Sequence, residues 1–316
     1  MKVYRIRSTP AALCTVLLIG ALLWRGGSAA ELSECLDTGH PSDAPSTTYD
    51  FGQLEHREGL LWRLSKQGGE PSFLYGTIHV ADPKVTRLPA LVRTHFNQAK
   101  ALALELDMNA EALAELQQAM FYRNGRTLAD DLSPVLFRRA LTLLSRYGMP
   151  AAGARTLKPW AVFTTLSLPA GKTGLPLDLV LMEQARRDGK SIHSLETVGE
   201  QVAVFESLGR SEQLRHLRFT LCHHETIQAE IDALIDAYLK RDLAALGALS
   251  LSHMQAGDEA FINALLDVRN QRMVSRALPL VEAGSAFIAV GTLHLLGQGG
   301  MLKLFQKQGF DLEAVY

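Results

Sequence analysis

The sequence contains FLYGTIHV at residues 73–80 and FIAVGTLHL at residues 287–295, and these two stretches decide its fold. Each is an apolar run that leads into Gly-Thr-aliphatic-His. Such a run is typical of a buried β-strand, and a glycine at its end permits a sharp turn or a close backbone approach. Because only two copies are present, the repeat predicts two related halves and not a solenoid.

The surroundings of the two stretches extend the repeat. Each is followed by a loop, a predicted helix and a second apolar strand that bears a carboxylate, Glu105 in the first half and Glu313 in the second. The halves span about residues 58–125 and 284–316. The segment between them has helical periodicity with cap and stop signals, so we predict a helical insertion that forms a cap. The expected fold class is therefore α/β, a helix-rich α+β arrangement with a mixed central sheet.

The N-terminus is predicted to be a targeting segment. Basic residues at positions 2, 5 and 7 precede an apolar stretch at 11–24, and small residues at 28 and 30 fit a cleavage site after Ala30. We therefore expect residues 1–30 to be a signal peptide, residues 31–57 to be a poorly ordered lead-in and residues 58–316 to form one domain. The alternative is an uncleaved anchor, although the apolar stretch is short and ends at Arg25.

Composition limits the function classes. The chain has 316 residues and a formal net charge of −1; residues 1–30 hold four of its 32 basic groups and none of its 33 acidic groups, so the remainder carries −5. A nucleic-acid-binding protein usually has a basic excess, so nucleic acid is not an expected partner. No later apolar run approaches the roughly 18 residues of a membrane-spanning helix, so no stable membrane insertion is expected after signal cleavage. We expect secretion across the inner membrane and a periplasmic location; the oligomeric state is not defined by the sequence.

The three cysteines fit an exported protein. Cys14 would leave with the signal peptide, and Cys35 and Cys222 would remain in an oxidising compartment that permits a disulfide. The sequence does not show whether the two lie close enough to pair, so the bridged and free states both stay open.

The two motif histidines indicate metal chemistry. Loops at strand ends of open α/β sheets form binding sites, so His79 and His294 can approach each other there. Two neutral imidazoles with carboxylates are a common ligand set for a divalent transition metal, which acidifies bound water and polarises a carbonyl. The alternative is two polar side chains that the backbone satisfies at strand ends.

The sequence resembles the TraB/GumN family, which includes the Tiki metalloproteases, over nearly all of residues 58–316. The matching elements are Gly76-Thr77-Ile78-His79, Leu104-Glu105-Leu106, Lys158-Pro159-Trp160, Asp178, Gly189-Lys190, Leu195-Glu196-Thr197, Gln201, Arg269-Asn270, Gly291-Thr292-Leu293-His294, Gly297 and Gly300. Tiki proteins are described as metal-dependent proteases that need the two Gly-x-x-His histidines together with acidic and basic groups.

The resemblance implies a divalent metal site. His79 and His294 would bind Mn²⁺, Co²⁺ or Zn²⁺, and Glu196 or Glu105 would be a further ligand or the general base. Each carboxylate also has a structural alternative. Glu105 can point outward at a strand end, and Glu196 can be an acid that is placed favourably at a helix N-terminus.

Three further residues take supporting roles by the same resemblance. Arg269 would stabilise an oxyanion, while Asn270 and Asp178 would orient the metal ligands. The structural alternatives are a solvated helix face for Arg269 and Asn270 and a first-turn helix acid for Asp178.

The leading hypothesis is an exported metal-dependent hydrolase that acts on a peptide or protein substrate. The alternative is a non-catalytic accessory protein of the cell envelope that binds a metal, a haem or a glycan through the same histidines. A third hypothesis is a fold with a purely structural role. Peptide turnover that a chelator stops separates the enzyme from the other two.

Overall fold

A computed structural model describes residues 34–35, 51, 54–171, 174–255 and 257–316. The predicted signal peptide and most of the predicted lead-in lie outside the described residues. Residues 34–35 are helical and belong to one compact unit, Met1–Asp37; the sheet and the numbered helices belong to a second, Thr38–Tyr316. Cys35 and Cys222 are each disulfide-bonded. None of the helices in the described ranges combines the length and apolar character that a membrane crossing requires.

Six strands of the described residues form one mixed sheet. They are β1 (Leu61–Ser65), β2 (Ser72–Thr77), β3 (Ala101–Leu104), β4 (Ser191–Ser194), β5 (Ala286–Gly291) and β6 (Asp311–Ala314), in the order β4-β3-β5-β2-β1-β6. The pairs β4–β3, β3–β5 and β5–β2 are parallel, whereas β2–β1 and β1–β6 are antiparallel. This confirms the predicted α/β class with a mixed central sheet.

β5 lies in the middle of the sheet because it is apolar along its length. Its residues 287–290 are fully buried, which requires cover on both faces since successive side chains point to opposite sides. In the register of β2 and β5, Phe73 pairs with Phe287 and Thr77 with Gly291. The two Gly-Thr motifs therefore lie side by side at the carboxyl ends of two neighbouring strands.

Helices occupy most of the chain between the two halves. In chain order the helices are α1 (Pro83–Thr86), α2 (Ala90–Gln98), α3 (Ala110–Met120), α4 (Pro134–Ser145), α5 (Ala151–Ala154), α6 (Pro159–Leu166), α7 (Leu177–Arg187), α8 (Val198–Glu206), α9 (Arg210–Lys240), α10 (Leu243–Leu251), α11 (Glu259–Leu265), α12 (Asp267–Ala283) and α13 (Met301–Lys307), with 3₁₀ turns at Leu128–Asp130 and Thr292–Leu295. A cap role for the middle helices stays a prediction.

Local signals explain many of the helix boundaries. Asn109 and Ser133 cap α3 and α4 by accepting hydrogen bonds from backbone N–H groups in the first turn. Gly189 follows α7 with a φ of +68°, a left-handed conformation that favours glycine and ends the helix. The apolar pattern predicts one helix over 258–283, but the chain breaks at Leu266 into α11 and α12.

The two halves place their second carboxylates differently. Glu105 follows β3, which is next to β5, whereas Glu313 lies in β6 at the opposite edge of the sheet, 67% exposed and paired with Arg63. The two carboxylates share a place in the sequence repeat but occupy different places in the sheet. The reason is β5 itself: it occupies the place between β2 and β3, so β6 joins the sheet at the free edge of β1.

Gly76 lies where a side chain does not fit. A Cβ at this position would be 2.9 Å from Thr292 Cγ2 and 3.3 Å from Leu295 Cδ2. We expect Gly76→Ala to lower the free energy of unfolding by about 1–3 kcal/mol, because the overpacked side chains must shift. Denaturant unfolding measures this loss. The control is Gly69→Ala in the β1–β2 turn, whose nearest neighbour would be 3.6 Å away; an equal loss in both variants would contradict the prediction.

Candidate active site

The carboxyl ends of four neighbouring parallel strands lie at the same end of the sheet, and a polar side chain follows each of these strands. His79 follows β2, Glu105 follows β3, Glu196 follows β4, and His294 lies in the 3₁₀ turn after β5. Open α/β sheets form their binding sites at this end. His294 Nε2 lies 3.7 Å from Glu105 Oε1, and His79 follows β2, the strand beside β5, at the same end of the sheet.

Arg269, on α12, bridges the two carboxylates. Its Nη2 donates to Glu105 Oε2 at 2.7 Å and to Glu196 Oε2 at 2.6 Å, and its Nε donates to the same Glu196 oxygen at 2.9 Å. Nη1 donates to the Leu265 carbonyl at 3.2 Å. Burial opposes the guanidinium charge, yet the two carboxylates raise the pKa of Arg269. All three nitrogens already donate to the protein, so this placement fits a carboxylate clamp and differs from the oxyanion role expected of Arg269.

Glu196 is enclosed by hydrogen-bond donors. Its side chain is 0% exposed. Oε2 accepts from Arg269 and from Gln201 Nε2 at 3.2 Å, and Oε1 accepts from Arg272 Nη1 at 3.1 Å. A metal ion at Glu196 would have to displace an arginine. The structure therefore places Glu196 as the partner of the arginines and not facing the histidines, which differs from the ligand role expected of it.

Glu105 is the carboxylate that faces His294. Its Oε1 accepts from the Gly291 N–H at 2.8 Å and lies 3.7 Å from His294 Nε2. Burial opposes its charge, but the charges of His294, Arg269 and His79 outweigh burial and lower the pKa of Glu105 to about 2, with the Gly291 N–H lowering it further. Glu105 is therefore ionised at neutral pH, next to an imidazole nitrogen.

Asn270 fixes the orientation of His294. His294 Nδ1 lies 2.7 Å from Asn270 Oδ1, and Asn270 Nδ2 donates to the Gly299 carbonyl at 2.9 Å. Because a carbonyl oxygen only accepts, Nδ1 carries the proton and Nε2 keeps its lone pair. Burial lowers the pKa of His294 to about 4, so the ring is neutral at pH 7. This contact agrees with the orienting role expected of Asn270.

Asp178 holds His79 from the first turn of α7. His79 Nδ1 lies 2.9 Å from Asp178 Oδ2, and the other carboxylate oxygen accepts from Thr77 Oγ1 at 2.5 Å. The Asp178 charge raises the pKa of His79 to about 9 against the opposing effect of burial. Asp178 is thus both a first-turn helix acid and a partner of the histidine. The His79 side chain is 58% exposed, so its ring is open to a ligand from solvent.

Asp178→Asn is expected to lower the pKa of His79 from about 9 toward its ordinary 6.5, because the charge that raises it most is removed. An imidazole NMR titration of metal-free protein measures the change. The raised pKa of His79 also makes the free energy of unfolding depend on pH. The ion pair between His79 and Asp178 contributes its full stability below pH 6.5, and this contribution is lost as the pH rises through about 9. Asp107→Asn, which removes the carboxylate paired with Arg186 at 2.6 Å, is the control. An unchanged His79 titration in Asp178→Asn would contradict the assignment.

The donor chemistry of the two histidines suits a divalent cation. Each ring has its Nδ1 next to an oxygen of a neighbouring side chain, which is how proteins orient histidines that bind metal through Nε2. Glu105 Oε1 adds an ionised oxygen donor near His294. As placed, however, no three His, Cys, Asp or Glu side chains within the described ranges are gathered closely enough to hold a metal ion. His79, His294 and Glu105 are the candidate ligands by chemistry.

Arg272 belongs to the site although no sequence motif marks it: its Nη1 donates to Glu196 Oε1. Arg269, Arg272 and Arg276 recur at helical spacing, which places them on one face of α12. Arg276 donates to the Leu195 carbonyl at 3.0 Å and pairs with Glu200 at 2.7 Å. A row of arginines at this spacing is a signal from which a partner row of carboxylates could have been predicted.

Comparison with known proteins gives two findings. The family model described as "TraB/PrgY/gumN family" matches residues 60–314. Curated relatives include Metalloprotease TIKI2 of Danio rerio, 26% identical over 80% of this chain and 60% of the relative, and Metalloprotease TIKI2 of Xenopus tropicalis, 25% identical over 93% and 65%. Metalloprotease TIKI1 of Homo sapiens is 24% identical over 83% and 63%. The chain thus spans just under two thirds of the length of these relatives. No solved structure is significantly similar to it.

Proposed function

Because the chain belongs to the TraB/PrgY/gumN family, we propose that it is an exported metal-dependent hydrolase that cleaves a peptide bond. The observation that carries this proposal is the placement of His79, Glu105 and His294 after three neighbouring parallel strands, with His294 Nε2 3.7 Å from Glu105 Oε1. The matched relatives named metalloprotease support the reaction class and a peptide or protein substrate. The signal-like residues 1–30 support export, and we propose a periplasmic location.

The proposed metal ligands are His79 Nε2 and His294 Nε2, with Glu105 beside His294 as the proposed general base. When bound, Mn²⁺, Co²⁺ or Zn²⁺ supplies Lewis acidity, which polarises a carbonyl and lowers the pKa of water. Burial keeps His294 neutral, so its lone pair is available at pH 7. His79, whose pKa is about 9, is protonated at pH 7 in the metal-free protein, so a bound metal would displace its Nε2 proton. Asn270 and Asp178 act as positioning residues that fix the two rings.

Glu105 is proposed to move the proton. In peptide hydrolysis the water oxygen bonds to the carbonyl carbon, the C–N bond breaks, and the amine leaves with a proton from the water. Glu105 takes that proton and passes it to the amine, because it is the carboxylate that faces His294 while Glu196 is enclosed by arginines. Arg269 and Gln201 donate to Glu105 Oε2 and hold the carboxylate in place.

Metal content and peptide turnover of the purified full chain test the proposal together. We expect about one divalent metal per chain, and peptide cleavage that a chelator stops and added metal restores. A protein that retains a metal, a haem or a glycan but turns over no peptide of a diverse library would contradict the hydrolase and favour the accessory-protein alternative.

A further inference from the structure

The two copies of the Gly-Thr-aliphatic-His motif are out of step by one residue in the sheet. Glycine is the third residue after Phe73 in the first copy and the fourth after Phe287 in the second. β2 and β5 align these two phenylalanines, so Thr77 lies opposite Gly291 and not opposite Thr292. Because successive side chains of a strand point to opposite faces, an offset of one residue changes the surroundings of a side chain. The two threonines of the repeat therefore have different neighbours.

Thr77 contacts the candidate site through its hydroxyl group. Its side chain ends β2 and is fully buried. Oγ1 donates to Asp178 Oδ1 at 2.5 Å, while Asp178 Oδ2 lies 2.9 Å from His79 Nδ1. Two residues of one segment thus hold the two oxygens of one carboxylate. Since a β-branched side chain is stiff at χ1, the Thr77 hydroxyl prevents this carboxylate from rotating away from the imidazole.

Thr292 contacts the sheet through its methyl group. It is 3% exposed, and its Cγ2 would lie only 2.9 Å from a Cβ at Gly76. Its hydroxyl has no hydrogen-bond partner among the described residues, in contrast to that of Thr77. The methyl group covers the glycine of the other copy, and it is the part of this side chain that the packing uses.

We propose that Thr77 is a positioning residue that acts through its hydroxyl, fixing the Asp178 carboxylate and through it the ring of His79, whereas Thr292 acts through its methyl group. The orientation of the ring is a property of the metal-free protein. The consequence for metal binding rests on the proposed function. Loss of an outer partner of a metal-binding histidine costs about 10–100-fold in metal affinity. Thr77 holds such a partner.

Isosteric substitutions separate the two roles. Thr77→Val keeps the branched shape but removes the O–H, and we expect the affinity of the full chain for Co²⁺ to fall by about tenfold in calorimetric titration. Thr77→Ser keeps the hydroxyl and is expected to keep most of the affinity. Thr292→Val is the matched control and should bind Co²⁺ like the native protein. Thr292→Ser removes the methyl group and is expected to lower the midpoint of denaturant unfolding without weakening Co²⁺ binding.

Carbon-13 NMR relaxation of the His79 ring tests the positioning without metal. We expect the ring to become more mobile in Thr77→Val and to stay as ordered as in the native protein in Thr77→Ser and Thr292→Val. A hydroxyl that only ties β2 to α7 would lower the stability of Thr77→Val and leave the ring and Co²⁺ affinity unchanged, which would overturn the proposal. If Thr77→Val does not fold, the difference between Thr77→Ala and Thr77→Ser isolates the hydroxyl.

The two measurements separate failure of the positioning role from failure of the hydrolase. A more mobile His79 ring in Thr77→Val, in a protein that binds no Co²⁺ and cleaves no peptide, supports the positioning role and overturns the proposed reaction. Chelator-sensitive cleavage with an unchanged ring and equal Co²⁺ affinity in Thr77→Val overturns the positioning role alone. Equal losses in Thr77→Val and Thr292→Val would overturn the division between hydroxyl and methyl group.

Discussion

His294→Ala is expected to abolish both metal retention and peptide cleavage, with a loss in kcat/KM well above the about 10–100-fold that removing an outer partner of a metal ligand costs. The ring is buried and neutral, its Nδ1 is held by Asn270, and its Nε2 faces Glu105 at 3.7 Å. Alanine removes this nitrogen donor, and no other imidazole nitrogen in the described residues has the same contacts. Elemental analysis and steady-state kinetics on the purified variant measure the two losses.

The matched control is His193→Ala on β4. His193 belongs to the adjoining strand of the same sheet, but its ring contacts Ser191 at 3.2 Å and none of the candidate site residues. We expect it to keep full metal content and activity. If His294→Ala retained both as well, the proposed ligand set would be refuted.

Arg269→Met is expected to lower the free energy of unfolding by about 3–5 kcal/mol, the range for breaking a buried ion pair on one side. The substitution leaves Glu196 fully buried with only Gln201 and Arg272 as partners. It also removes a cationic neighbour that lowers the pKa of Glu105. Denaturant unfolding measures the loss.

Two further variants test the cause of that loss. Arg269→Met combined with Glu196→Gln is expected to recover part of the stability, because the buried charge is then absent. Arg63→Met breaks the exposed pair with Glu313 and is expected to cost at most about 1 kcal/mol. A loss in Arg269→Met no larger than that in Arg63→Met would contradict a buried carboxylate clamp.

The repeated Gly-Thr-aliphatic-His pattern was sufficient to predict the strands β2 and β5, and the candidate site after them stays a prediction. An apolar run followed by glycine marks a strand end, and strand ends of parallel pairs meet. It could not distinguish Glu105 from Glu196, since each simply follows a short strand. The distinction depends on which carboxylate α12 covers with Arg269 and Arg272, and that is a property of tertiary packing.

Two other features of the fold could not be predicted from local sequence patterns: the break between α11 and α12, and the position of β6. The apolar period runs through Leu266, so nothing local announces the break between α11 and α12. The position of β6 depends on β5 having filled the gap between β2 and β3, which no local pattern encodes. The sequence allowed the candidate site residues to be chosen by residue type, but it did not show which side chains contact them.

The central position of β5 has a consequence for how the protein is made. Phe73 and Ala101 pair with Phe287 and Ala286, so β2 and β3 become neighbours of a common strand that is synthesised near the end of the chain. Contacts this distant in sequence slow folding, and incomplete chains expose unpaired apolar strand edges. β2 and β3 therefore cannot be joined in one sheet before residues 286–291 are available, and until then these early strands need shielding from aggregation.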